Sequence, residues 1–305
     1  MTFVLGLSMR YWTGRKRVLM GRIANAWNLT KISWGVLKQD KELLAFPVFG
    51  ALAGLLAILF GLGFALLAGL RFREETIDVP PGAAVALIVA VAIATYLTIY
   101  FKAALVAGAG QRLKGGDPTI KSSIRQVTPH LVSLIAFAGI VLVAKTIVAW
   151  LRDQGFIGRI IAGLFDAMFT VATFLTLPVI LEENVGGVEG VKRSIKLLKR
   201  SWGENVASQF GFGIISLILI MGGLLATAAL GAVASVFGTP AIAAVAVLGV
   251  AWVLVVVTGM AALTGIFQMA LYMYAVGDEQ AELPFSQTDM AGAFQVKQKK
   301  SFLGN

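Results

Sequence analysis

Residues 43–70 read LLAFPVFGALAGLLAILFGLGFALLAGL, twenty-eight consecutive positions without a charged side chain. As an α-helix rising 1.5 Å per residue this run reaches about 40 Å, more than the roughly 30 Å of bilayer hydrocarbon. No face of it is polar, so water cannot be its solvent. It reads as a membrane span.

Five further stretches have the same character, at about 84–110, 131–151, 159–181, 206–237 and 241–276. The fold class is therefore all-α: a polytopic membrane protein with six transmembrane helices arranged as three hairpins. Several runs exceed the minimum length, so tilt or extension beyond the bilayer is expected. The whole composition agrees, with 58% hydrophobic residues, 14% charged and a mean hydropathy of +0.83, where a soluble domain carries about 25% charged residues. There is no cysteine and a single histidine, His130. That excludes disulfides, thiolate chemistry and an all-histidine metal centre within one chain. No cofactor is expected.

Basic residues set the orientation. With six spans, residues 1–42, 111–130, 182–205 and 277–305 share one side and hold 20 of the 26 Lys and Arg, against Arg71, Arg73, Arg152 and Arg159 opposite. The rich side is expected to be cytoplasmic, which puts both termini in the cytoplasm of a bacterial or archaeal cell. This basic face would attract anionic lipid of the inner leaflet at about 1 kcal/mol per residue. Positive-inside bias explains the charge without nucleic acid. Residues 1–19 read as an N-terminal extension, 20–277 as the membrane domain and 278–305 as a cytoplasmic tail.

A short amphipathic helix precedes each hairpin. In the third, Val188, Val191, Ile195, Leu198 and Trp202 form one stripe, spaced for a helix. Lys192, Arg193, Lys196, Lys199 and Arg200 fill the rest. The stripe is expected to lie in the headgroup plane with the cations among phosphates. The second opens with Asp117-Pro118 as cap and first residue and repeats Ile120, Ile124, Val127 and Leu131. The first places Ile23, Trp27, Thr30, Trp34 and Leu37 on one face, its indoles suited to the interface. Lys31-Ile32-Ser33-Trp34-Gly35 recurs as Lys199-Arg200-Ser201-Trp202-Gly203, and Ile120–Arg125 resembles Val191–Lys196. Three parallel units explain this; chance likeness between basic juxtamembrane helices is the competing account.

Three ionisable residues lie inside spans, where charge is costly and functional by default. Lys145 and Asp166 are expected at similar depth, about 10 Å in, as an ion pair joining neighbouring helices. It reads either as a structural pair or as part of a relay. Lys102 is expected to snorkel, with Gln268 as its partner. Gly50, Gly54, Gly211, Gly213, Gly222, Gly223, Gly231, Gly259 and Gly265 permit close helix approach. Pro178 is expected to kink the fourth span. His130 reads as a surface residue and Glu182-Glu183 as a solvated pair. No phosphate loop, nucleophile elbow or metalloprotease motif is present.

Several runs taken together resemble a family of uncharacterised six-span prokaryotic membrane proteins: Ser33-Trp34 with Asp40-x-Glu42-Leu43-Leu44-x-Phe46-Pro47; Arg112-Leu113-x-Gly115-Gly116-Asp117-Pro118-Thr119; Thr173-Phe174-x-x-x-Pro178-Val179; and Lys192-Arg193-Ser194 leading to Ser201-Trp202-Gly203-Glu204. The likeness runs from about Met20 to the C-terminus, and Phe285 and Ala293-Phe294 fit it. It implies no reaction, substrate or cofactor. More distantly, the hairpins look like the membrane domain of some glycerophosphodiester phosphodiesterases, whose catalytic half has no counterpart here. Lys102 departs from the family pattern, where a neutral polar residue is expected. The functional expectation is a non-enzymatic scaffold, assembly subunit or lipid-organising protein, with a membrane-protein partner or a second copy. The alternative is a transporter or channel for a small solute or lipid; intramembrane catalysis comes last.

Overall fold

The computed structural model describes residues 30–72, 77–202 and 212–277. The proposed extension, the face residues Ile23 and Trp27, Gly211, the Trp202 side chain and the tail after residue 277 lie outside the described residues. A helix over 30–39 (α1) leads through a 3-10 turn, Lys41–Leu44, into α2 (Ala45–Leu67). Then come α3 (Pro81–Leu113), α4 (Ile120–Val127), α5 (Leu131–Arg152), α6 (Gly155–Ala172), α7 (Thr176–Glu183), α8 (Gly187–Trp202), α9 (Phe212–Ala234) and α10 (Thr239–Val276). The fold is nearly all-α, and among the described residues six helices are long and apolar enough to cross a membrane: Lys41–Leu67, Pro81–Leu113, Ile120–Arg152, Gly155–Glu183, Ile215–Phe237 and Thr239–Val276. α2 and α3 are joined by a two-stranded ribbon, β1 (Arg71–Phe72) and β2 (Ile77–Asp78), with Arg71 opposite Asp78.

Two compact units are present. The first takes its described residues from 30–36 and 202–264, the second from 37–201 and 265–277.

In the second unit, α2 and α3 pack along a seam of small residues. Phe46, Gly50, Gly54, Gly61 and Ala65 are the buried positions of α2, and the three glycines face Phe101, Thr98 and Ala90 of α3. A Cβ on Gly61 would collide with the Ala90 methyl, so glycine sets the helix separation there. With no hydrophobic drive between helices in lipid, such close packing is what holds spans together.

The core of this unit is concentrated at one end. Ala103–Gly110 of α3, Phe174–Leu181 at α7 and Gly265–Met273 of α10 are each buried at every successive position. A helix buried all round has neighbours on every side. Glycines make the fit: a Cβ on Gly265 would meet Leu105, and one on Gly110 would meet Met269. Elsewhere α2, α5 and α6 expose large apolar side chains such as Phe60, Phe64, Val143, Ile147, Ile157 and Leu164, surface that only lipid or another protein can cover.

Three local expectations change. α4 starts at Ile120 and is capped by Thr119, whose hydroxyl accepts from Ser122 N while Ser122 Oγ accepts from Thr119 N. This reciprocal box satisfies two orphan donors and displaces Asp117 from the cap. His130, in the 3-10 turn Thr128–His130 between α4 and α5, is buried. On α1 the buried positions are Thr30, Ser33, Val36 and Leu37, while Trp34 is 45% exposed.

Candidate functional site

The fourth span does not bend at Pro178 but breaks just before it, at Thr173–Leu175, between α6 and α7. Pro178 is the cause. It has no N–H, so the Phe174 carbonyl loses the partner that a continuous helix would supply four residues on. The turn itself uses shorter pairings, Phe174 N to Val171 O and Thr176 N to Thr173 O. Three groups are thereby orphaned: the Ala172 and Phe174 carbonyls and the Leu175 N–H. In a membrane each must find a protein partner.

All three do. Ser194 of α8 donates from Oγ to Ala172 O at 2.7 Å and accepts from Leu175 N at 3.1 Å. Gln268 of α10 donates its amide to Phe174 O. Ser194 and Gln268 are 0% and 1% exposed. The break is thus stitched from two sides, and Gln268 serves this carbonyl and not Lys102.

A belt of ionic contacts surrounds the stitched end. Asp40 pairs with Arg112 at 2.6 Å and Lys114 with Glu182 at 2.6 Å. Arg193 Nε reaches both oxygens of Glu183, at 2.9 and 3.1 Å, and Tyr272 donates its hydroxyl to Glu183 at 3.3 Å. Glu42 accepts from Ile120 N at 3.1 Å, closing another free end of α4. Glu182-Glu183 is therefore paired with cations of α8 and of the turn after α3, and Arg193 is drawn from the headgroup role onto Glu183. Burial raises the Asp40 carboxyl above its ordinary range, with the Arg112 cation pulling the other way.

α8 is rotated relative to its sequence reading. The buried positions are Gly187, Gly190, Ser194, Leu197 and Leu198, a seam of three small residues and two leucines centred about 90° round the helix from the valine stripe at 100° per residue. Gly190 lies against Ile180 and Thr176, and Gly187 against the backbone of Ser133 and Phe137. Val188 is left 54% exposed. The helix has three faces: a seam on the bundle, an apolar stripe beside it, and a basic face away from the seam. Lys192, Lys196, Lys199 and Arg200 on that last face are exposed; Lys192 is 3.9 Å from Glu189. The matching serine of α4, Ser123, is also fully buried and abuts Gly108 of α3. Each of the two helices therefore folds back on the span before it through an equivalent serine.

Lys145 and Asp166 meet at 2.5 Å. They lie seven and eleven residues from the near ends of α5 and α6, about 10 and 16 Å at 1.5 Å per residue. The sequence reading put them at one depth because it started the second helix at Arg159 and not at Gly155. Side chains lean toward a helix's N-terminus, so in this antiparallel hairpin the two reach toward each other and close the gap. The pair sits on the bundle surface, with Lys145 55% exposed. Lys102 is exposed on α3 and has no ionic partner among the described residues. No cluster of His, Asp and Glu able to hold a metal occurs among the described residues.

Residues 82–282 match a family of unknown function, DUF6159. The chain belongs to that family. The matched region opens at the start of α3 and covers the stitched break, α8 and the spans up to α10, leaving out Ser33-Trp34, the Asp40–Pro47 run and Phe285 onward. It supports an uncharacterised membrane family and lends nothing to the phosphodiesterase likeness. No curated protein and no solved structure matches the chain.

Gln268 stands out in the sequence as a polar side chain within a span, but its partner is the Phe174 carbonyl and not Lys102, and the part played by Ser194 shows only in the fold. A proline deep in a span announces an unpaired carbonyl four residues earlier, and a buried amide on another span is the natural donor. That signal was present in Pro178 and Gln268.

Proposed function

We propose that this DUF6159 chain is a non-enzymatic protein of the bacterial or archaeal cytoplasmic membrane that organises anionic lipid and serves as an assembly platform. The observation that carries the reading is α8: docked on the bundle by its glycine-serine seam, it holds Lys192, Lys196, Lys199 and Arg200 outward on one exposed face. An even number of spans and the skewed basic residues favour cytoplasmic termini and an inner-leaflet position for this face. The exposed apolar flanks of the spans suit a membrane-protein partner or a second copy. Nucleic acid, a cofactor and an enzymatic reaction have no supporting residue pattern.

A solute or lipid path past Lys102, Lys145 and Asp166 is the weaker reading. The inner segments of α3, α7 and α10 are buried on every side, and the Lys145–Asp166 pair lies at the surface.

The test is lipid enrichment around the full chain in nanodiscs of mixed phosphatidylglycerol and phosphatidylcholine. The wild type should enrich the anionic lipid, and a Lys196→Gln, Lys199→Gln, Arg200→Gln variant should lose most of that enrichment. Equal enrichment by both proteins would refute the role of α8.

A further inference from the structure

In the first unit, α9 and α10 leave a groove between them. Ile215 and Leu219 of α9 and Val255, Val256, Gly259, Met260 and Leu263 of α10 line a cavity of about 370 Å³. That volume falls within the range of small-ligand sites, about 300–1,000 Å³. The groove follows α10 over nine residues, from Val255 to Leu263, a length of about 12 Å. Thr30, Lys31 and Trp34 of α1 complete its lining. Among the described lining residues, Lys31 alone is charged.

We infer that this groove binds one anionic phospholipid, an acyl chain lying between α9 and α10 and the phosphate held at Lys31. The apolar walls match a hydrocarbon chain and reject a polar solute. Lys31, itself exposed, supplies the complementary charge. Trp34, 45% exposed beside it, has an apolar ring and an N–H donor, the character that places indoles at the boundary between tails and headgroups. Gly259 keeps the groove open: a Cβ there meets nothing within 4 Å among the described residues, so the missing side chain is space and not contact with a described helix. The site uses none of the α8 cations and goes beyond the annular lipid of the preceding reading.

The experiment is native mass spectrometry of the full chain released from nanodiscs of phosphatidylcholine with and without phosphatidylglycerol. Wild type should retain one phosphatidylglycerol after the annular lipid has been stripped. Gly259→Phe should remove it, with Gly259→Leu as the milder filling variant should the larger ring unfold the protein. Lys31→Gln should keep lipid but lower the preference for phosphatidylglycerol about fivefold, the value of one basic residue near a charged surface. Retention of the lipid by a folded Gly259 variant, or unchanged preference in Lys31→Gln, overturns the inference. The α8 triple variant separates the two proposals. If it loses annular enrichment and keeps the single lipid, both hold; if it also loses the single lipid, that lipid sat on α8 and the groove is not its site. If wild type shows no annular enrichment yet retains one lipid that Gly259→Phe removes, the groove stands and the α8 reading falls.

Discussion

Replacing Gln268 with leucine should destabilise the protein only as long as Pro178 is present. Gln268 donates to the Phe174 carbonyl, which Pro178 deprives of its helical partner. A buried carbonyl left unpaired costs about 1–3 kcal/mol. Part of this is returned, because Gln268 Oε1 is itself buried without a hydrogen bond among the described residues and leaves with the amide. Leucine also fills most of the space. The net cost should be about 1–2 kcal/mol, near the upper end of interhelical hydrogen bonds in membranes. Pro178→Ala restores an N–H four residues after Phe174, so the same Gln268→Leu change in that background should cost little. The coupling between the sites should be about 1 kcal/mol. The assay is a double-mutant cycle of reversible unfolding in mixed micelles of rising dodecyl sulfate fraction, followed by far-UV circular dichroism. An equal cost of Gln268→Leu in both backgrounds would refute the link between the proline and the amide.

The two equivalent serines should behave oppositely in the same assay. Ser194→Ala orphans Ala172 O and Leu175 N–H and should cost about 2–3 kcal/mol, whereas Ser123, whose hydroxyl has no hydrogen-bond partner among the described residues, should tolerate alanine with a change within about 1 kcal/mol. Gly61→Ala must push α2 off Ala90 and should destabilise; Gly63→Ala, which meets nothing within 4 Å, should stabilise by about 0.5–1 kcal/mol through helix propensity. Lys145→Met strands the Asp166 carboxylate in the span and should cost more than the double change Lys145→Met, Asp166→Leu, which removes both charges; a costlier double variant would count against a simple structural pair. Asp40 has its carboxyl raised by burial, so the folded state holds that proton to higher pH than the unfolded one. Its contribution is full below the ordinary carboxylate range and fades as pH rises through the raised value. Asp40→Asn should flatten that part of the stability-against-pH profile, and an unchanged slope would exclude Asp40 as its source.

The nearly all-α fold and the six apolar helices were legible in the sequence. Each depends on local quantities: run length, hydropathy and the 3.6-residue period. The rotation of α8 was not legible, because Val188, Val191 and Ile195 outweigh Gly187, Gly190 and Ser194 on any hydrophobicity scale. In lipid, however, close backbone approach decides which face docks, and small residues permit it. The pairing of Glu182 and Glu183 with Lys114 and Arg193 needed the tertiary fold too, since the partners of Glu182 and Lys114 stand 68 positions apart.

The amino-acid order by itself therefore determined the solvent: a chain with these uninterrupted apolar runs can only fold in hydrocarbon, as helices that satisfy their own backbone. Tertiary structure alone decided what repairs the place where that self-sufficiency fails. Pro178 opens the fourth span, and Ser194 and Gln268 close it from helices 19 and 94 residues away in sequence. Hydropathy is a sum over neighbours along the chain; an orphaned carbonyl is satisfied only by whichever donor the packing brings within reach.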